Sequence, residues 1–225
     1  MKNLLLLVPI VAMLSHGSVA LAATESFSFN ALNLAVPDGN PAGLANIQTV
    51  SSTIISIDSI EITLNLSGAF NGDLYAYLTC SQGGGFTILL NRTGRSAGNV
   101  FGYDDQGFNV TLSDAGAADI HTYRNSVTPG AGNPLTGTWQ PDGRNTDPNL
   151  VTDLSPRSAM LSSFNGLAGS GDWTLFVADM STGDTHILQN WSLSLTGTAI
   201  PEPGLWQLFG AGILAMFCRR SRCGA

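Results

Sequence analysis

Residues Thr53 to Leu66 read TIISIDSIEITLNL, and the alternation in this stretch decides the fold class. Ile55, Ile57, Ile60, Ile62, Leu64 and Leu66 form the apolar set. A period of two places successive side chains on opposite faces of a strand. The phase slips near Asp58-Ser59, which predicts a bulge, or a bend between two strands. Asp73 to Thr79 (DLYAYLT) alternates again, with Leu74, Ala76 and Leu78 on one face and Tyr75 and Tyr77 on the other. Gly83-Gly84-Gly85 reads as a turn and Phe86 to Leu90 as the next strand. Phe108 to Leu112 (FNVTL), Trp173 to Ala178 (WTLFVA) and Trp191 to Leu195 (WSLSL) repeat the pattern. Outside the two termini no window suits a long amphipathic helix. Short strands joined by Gly-rich turns predict an all-β chain, an antiparallel β-sandwich of the jelly-roll kind. Ser126 to Pro156 is rich in Pro, Gly, Asn and Asp, and is expected as a long surface loop interrupted by a short strand at Gly137-Thr138-Trp139.

The two ends follow different rules. Lys2 is followed by an almost wholly apolar run from Leu4 to Leu14, and Ala20-Leu21-Ala22 offers small residues two apart. That order predicts a signal peptide over residues 1–22, helical in its apolar part and cleaved after Ala22; it is too short to span a bilayer. At the other end Pro201-Glu202-Pro203-Gly204 precedes an apolar stretch, Leu205 to Cys218, and then Arg219, Arg220 and Arg222. Gln207 is the one strongly polar residue of that stretch, so it has no polar face and predicts a hydrophobic helix that enters a membrane. The arginines after it act as a stop and keep the end of the chain cytoplasmic, with the rest outside. Residues 23–199 are then the exported β domain and 200–225 the anchor segment.

Composition limits what that domain does. All sixteen acidic residues fall within residues 23–204, against five arginines and no lysine, a net of about −11 in the full exported part. Such an acidic surface disfavours nucleic acid and anionic membranes. Cys80 is the single cysteine of this region, since Cys218 and Cys223 lie in the tail; no internal disulfide is available, and Cys80 is expected as a small buried hydrophobe.

The three-part tail, Pro201-Glu202-Pro203, apolar segment and Arg-rich end, resembles the PEP-CTERM sorting signal. The resemblance implies processing by an exosortase, a membrane cysteine transpeptidase of Gram-negative bacteria that make extracellular polysaccharide. A second resemblance covers about residues 45–197. It is carried by Phe70-Asn71-Gly72-Asp73-Leu74, Tyr103-Asp104-Asp105, Gly137-Thr138-Trp139-Gln140-Pro141-Asp142-Gly143, Gly171-Asp172-Trp173-Thr174-Leu175 and Asn190-Trp191-Ser192-Leu193. Together these are similar to the P domain (Homo B) that follows the catalytic domain of subtilisin-like proprotein convertases, whose fold is a β jelly roll. Trp173 and Trp191 have the size to anchor a core from two late strands. Asn71-Gly72-Asp73 reads as a tight turn that starts a strand, with Gly72 free to take positive φ.

Calcium is the cofactor to consider, because it wants six to eight oxygens and acidic turns supply them. Asp73, Asp104, Asp105, Asp179 and Asp184 are the candidate ligands, and related P domains bind calcium. The alternative is that these are solvated turn aspartates; no Asp-x-Asp-x-Asp-Gly loop is present. For catalysis only His121 and His186 remain, since His16 lies in the signal peptide, and no Gly-x-Ser-x-Gly elbow occurs. Two separate histidines and one cysteine make no zinc set. The expectation is a non-enzymatic envelope or matrix protein, with an exosortase-type enzyme, the membrane and extracellular polysaccharide as partners and no nucleic acid. The alternatives are a P domain assisting a secreted subtilisin-like protease, and a glycan-active jelly-roll enzyme with paired carboxylates.

Overall fold

The computed structural model describes residues 21–200. The signal segment before Leu21, the sorting residues Pro201, Glu202 and Pro203, and the basic cluster Arg219, Arg220 and Arg222 lie outside the described residues.

The longest strands are β4 (Ile54–Ser67) and β10 (His186–Ala199), and they pair antiparallel through the middle of one sheet. On the far side of β10 lie β1 (Leu21–Phe29) and, further along, β2 (Leu34–Val36). Beyond β4 come β7 (Phe108–Ser113) and β8 (Leu135–Trp139). The second sheet runs β3 (Asn40–Val50), β9 (Gly171–Asp179), β5 (Leu74–Cys80), β6 (Phe86–Asn91), antiparallel throughout. One apolar cluster takes inward side chains from both sheets: Ile62, Leu64 and Leu193 from the first, Leu74, Leu78 and Leu175 from the second. Each such side chain removed from water contributes roughly 1.5–3 kcal/mol. The all-β, antiparallel sandwich expectation is met at this level, with one exception. β7 and β8 run parallel, because the connection between them crosses over through the short 3-10 segment Ile120–Asn125 instead of turning back as a hairpin.

The slip at Asp58 is a bulge within one strand. Thr196 faces Ser59 and Gly197 faces Ile57, so Asp58 has no partner across the ladder. A second irregularity corrects the apolar set. Thr198 faces Ser56 and Ala199 faces Ile54, which leaves Ile55 unpaired and 48% exposed, while Ile54 is buried. Gly197 sits between the two bulges, where a Cβ would come within 2.2 Å of the Ser56 carbonyl oxygen.

Two further expectations need correction. Gly72 does not take positive φ; Phe70 does, at 65°. Gly72 is required for close approach, since a Cβ there would meet the backbone of Phe101, Gly102 and Tyr103 at 2.4–2.8 Å. Nor is Ser126 to Pro156 simply a surface loop. β8 begins at Leu135, and Asp142, Arg144 and Val151 are buried. Asp142 and Gly143 donate backbone hydrogen bonds to Leu89 and Ile88, and Ile88 donates to Ala159, so this segment seals the free edge of β6.

Strands β1, β2 and β3 carry no pattern that a period-two search finds easily. β1 begins at Leu21, so the expected cleavage after Ala22 falls two residues inside it.

Candidate functional site

Three groups of polar side chains organise the loops of the sandwich. The first joins the start of β5, the end of β6 and the turn between β9 and β10. Asp73 pairs with Arg92 at 3.2 Å, and Arg92 also donates to the Gly72 carbonyl and to Ser181 Oγ. Asp179 accepts from the Ser181 backbone through one oxygen, and its other oxygen lies 2.9 Å from His186 Nδ1. Burial, the largest influence, holds the Asp73 carboxyl above its ordinary range; Asp179 nearby adds to this, against Ser181 and Arg92. His186 Nε2 is buried without a hydrogen-bond partner.

The second group lies under the loop that seals β6. His121 Nδ1 is 2.7 Å from Asp142 Oδ2 and Nε2 is 2.9 Å from the Arg95 carbonyl. Asp142 also receives the Asn91 backbone N–H and Arg144 Nη1. Arg144 reaches on to Asp119 at 2.8 Å, which Arg157 also approaches. The third group is more exposed. Arg124 donates to Asp105 at 2.8 Å and to Asp104, and it lies 4.8 Å over the Tyr103 ring. Tyr123 donates its hydroxyl to Asp105 at 2.5 Å. The Arg124 bond lowers the Asp104 pKa, and burial followed by Asp105 raises that of Tyr123 well above the phenol range.

The candidate calcium ligands are therefore divided. Asp73 and Asp179 belong to one group and Asp104 and Asp105 to another, each paired with an arginine or a histidine. Asp184 lines a separate hollow of about 390 Å³ with Asn65, Ser67, Gly68, Gln106 and Pro134. Among the described residues no three His, Cys, Asp or Glu side chains gather in a geometry that would hold a metal. Arg92 on Asp73 and Arg124 on Asp104 and Asp105 occupy carboxylate oxygens that a calcium shell would need. Trp173 and Trp191, by contrast, sit where core anchors belong, fully buried on the central strands of the two sheets.

In a triad of the serine kind, the hydroxyl faces the second ring nitrogen of a histidine held by a carboxylate. His121 places that nitrogen on a carbonyl, and Ser181 Oγ contacts Arg92. Neither the hollow beside Asp184 nor a second one of about 310 Å³ beside Asp104 and Arg124 has a histidine or cysteine on its wall, whereas a smaller one of about 210 Å³ is lined by His121 with Ser96, Tyr103 and Asp153. Cys80 is buried, which pushes its thiol pKa up. Sequence reasoning overlooked Arg92, Asp119, Asp142 and Arg144. The signal available was the use of arginine without lysine between Arg92 and Arg157, since arginine is the cation suited to buried, forked pairing.

His121 leads to a prediction. Both ring nitrogens face oxygens, and the Asp142 oxygens already take two other donors, so the geometry calls for an imidazolium that donates twice. Burial alone would depress the His121 pKa, but the bond and charge of Asp142 and the Arg95 carbonyl outweigh it and the pKa is raised. A histidine whose folded pKa exceeds the unfolded value stabilises fully below about pH 6.5, and that contribution is lost as pH rises through the folded pKa. Urea melts should therefore show stability declining from mildly acid to alkaline pH, and His121→Gln should remove that part of the slope. A slope equal in both proteins would refute the assignment.

No family model matches the chain, and no curated protein matches it. Among solved structures it is similar to the serine protease of Aeromonas sobria, at 13% identity and a TM-score of 0.43, over 81% of this chain and 28% of that one. It is also similar to a chain in the crystal structure of the Aeromonas sobria serine protease and chaperone complex, at 13% identity and a TM-score of 0.41, over 80% of this chain and 27% of that one. The chain thus spans little more than a quarter of the length of these two chains.

Proposed function

We propose that this is a non-enzymatic exported protein of the cell envelope or extracellular matrix, sorted by an exosortase-type enzyme through its tail. The observation that carries the reading is the order Pro201-Glu202-Pro203, apolar Leu205 to Cys218, then Arg219, Arg220 and Arg222. Residues 23–199 act in it as a P-like jelly-roll module that binds or builds, not one that turns over substrate. No helix among the described residues is long and apolar enough to cross a membrane; in this proposal membrane contact belongs to the tail.

Mass spectrometry of the mature chain from its host provides the test. The expected product lacks the apolar and basic tail, ending near Pro201 to Gly204, and loss of the exosortase-type enzyme leaves the tail attached. An exported chain with its tail intact in cells that have the enzyme would overturn the reading. Retention of the processed chain on the host's own polysaccharide supports the matrix role; co-purification with a subtilisin-like protease would replace it with the accessory role.

A further inference from the structure

The described strands leave one long sheet edge both unpaired and uncharged. β6 is sealed by residues 142–159, and β8 is five residues long with its continuation, Gln140, bonded to Ala118 and Ile120. β1 carries Glu25, whose carboxylate holds Ser52 and Thr53. β3 pairs with β9 alone, and from Leu44 to Val50 its backbone bonds to nothing else among the described residues. An edge of this kind templates pairing with another strand unless charge, proline or a bulge blocks it. Pro41 and the irregularity between Asn40 and Leu44 block one end only.

The segment Leu44-Ala45-Asn46-Ile47-Gln48-Thr49-Val50 is complementary to itself. Set antiparallel about a two-fold axis at Ile47, Leu44 meets Val50, Ala45 meets Thr49, Asn46 meets Gln48, and Ile47 meets Ile47. Leu44–Val50 and Ile47–Ile47 are thus apolar pairs, Asn46–Gln48 is an amide pair, and the small Ala45 meets Thr49. Ile47 is 60% exposed on the outer face, with no charge beside it on its own strand, in a protein of net charge −7. Two acidic copies repel each other over most of their surfaces, whereas β3 itself carries no carboxylate from Leu44 to Val50, and the Asp172 that borders it on β9 is bonded to the Thr49 hydroxyl at 2.7 Å. We propose that β3 is a homodimer seam, at which two copies join their four-stranded sheets into one continuous sheet by an isologous contact. The proposal does not depend on the sorting tail.

Sedimentation of the full chain in a non-ionic detergent tests it. The wild type should pass from monomer to dimer as concentration rises. Ile47→Lys and Ile47→Glu should each weaken self-association by at least about tenfold, since like charges then face each other across the axis. The exposure of Ile47 leaves folding unaffected, so both variants should melt near the wild type. Mixing the two variants should restore the dimer, because the axis sets the lysine of one copy against the glutamate of the other. A wild type that stays monomeric, a dimer that survives both substitutions, or a mixture that fails to recover would overturn the proposal.

Discussion

Asp142→Ala should destabilise the fold by about 3–5 kcal/mol, the cost of removing one partner from a buried ionic network. The magnitude follows from how many donors lose their acceptor at once. His121 Nδ1, Arg144 Nη1 and the Asn91 backbone N–H all converge on the two oxygens of a carboxylate with no exposure. Arg144 Nε is already buried without a partner, so its guanidinium is left with Asp119, the Asp153 carbonyl and a long bond to the carbonyl of residue 142 itself. The Asp142 backbone also seals the free edge of β6, so loosening this residue exposes a strand that is otherwise covered. Asp142→Asn separates shape from charge. It should lose only about 1.5–3 kcal/mol, the range for a hydrogen bond to a charged group, while the His121 contribution to the pH slope disappears. Urea titration of both variants at acid and alkaline pH is the measurement. A loss below about 1 kcal/mol for the alanine variant would show that water reaches these donors, and the network would then be a surface feature.

What could be read from the chain follows physical lines. Strands with one apolar face were visible, because Ile60, Ile62, Leu64 and Leu66 repeat at the strand period without interruption. The bulge at Asp58 was visible for the same reason: an extra residue breaks the phase. Strands β1 and β3 were not, since Ser26 and Ser28 replace charged residues on the outer face of one, and Asn46 and Gln48 point inward at the rim of the other. Asn46 has its place there because it accepts from Trp191 Nε1 across the sandwich, a long-range contact with no local trace. The polar groups were half visible. Asp73, Asp104, Asp105 and Asp179 were singled out as metal ligands because a carboxylate in a turn has the same local sequence whether it meets calcium or arginine. The distant partners, Arg92 for Asp73 and Arg124 for Asp104 and Asp105, leave no trace in that local sequence. The parallel placement of β8 also depends on a crossover that no strand motif encodes.

Trp173→Ala should lose about 3–5 kcal/mol, a sizeable share of the 5–15 kcal/mol that holds a typical domain folded. Trp173 stands on β9, the strand flanked by β3 and β5 in the second sheet, and it has no exposure. Its ring packs 5.1 Å from that of Phe164, which itself closes over Gly85 so tightly that a Cβ there would overlap the ring. Its Nε1 donates to the Gly169 carbonyl at 3.0 Å, fixing the turn that leads into the strand. Deleting the indole therefore opens a cavity between segments held by backbone hydrogen bonds, where little can move in to fill it. Trp173→Phe keeps most of the volume but drops the Gly169 bond, and should lose clearly less. Because Phe164 and Trp173 are in contact, the double variant Phe164→Leu with Trp173→Phe should depart from additivity by about 0.5–3 kcal/mol. Urea melts followed by far-ultraviolet circular dichroism measure all of these without relying on tryptophan emission. Strict additivity, or an alanine variant within about 1 kcal/mol of wild type, would mean that the second sheet is anchored elsewhere than on this residue.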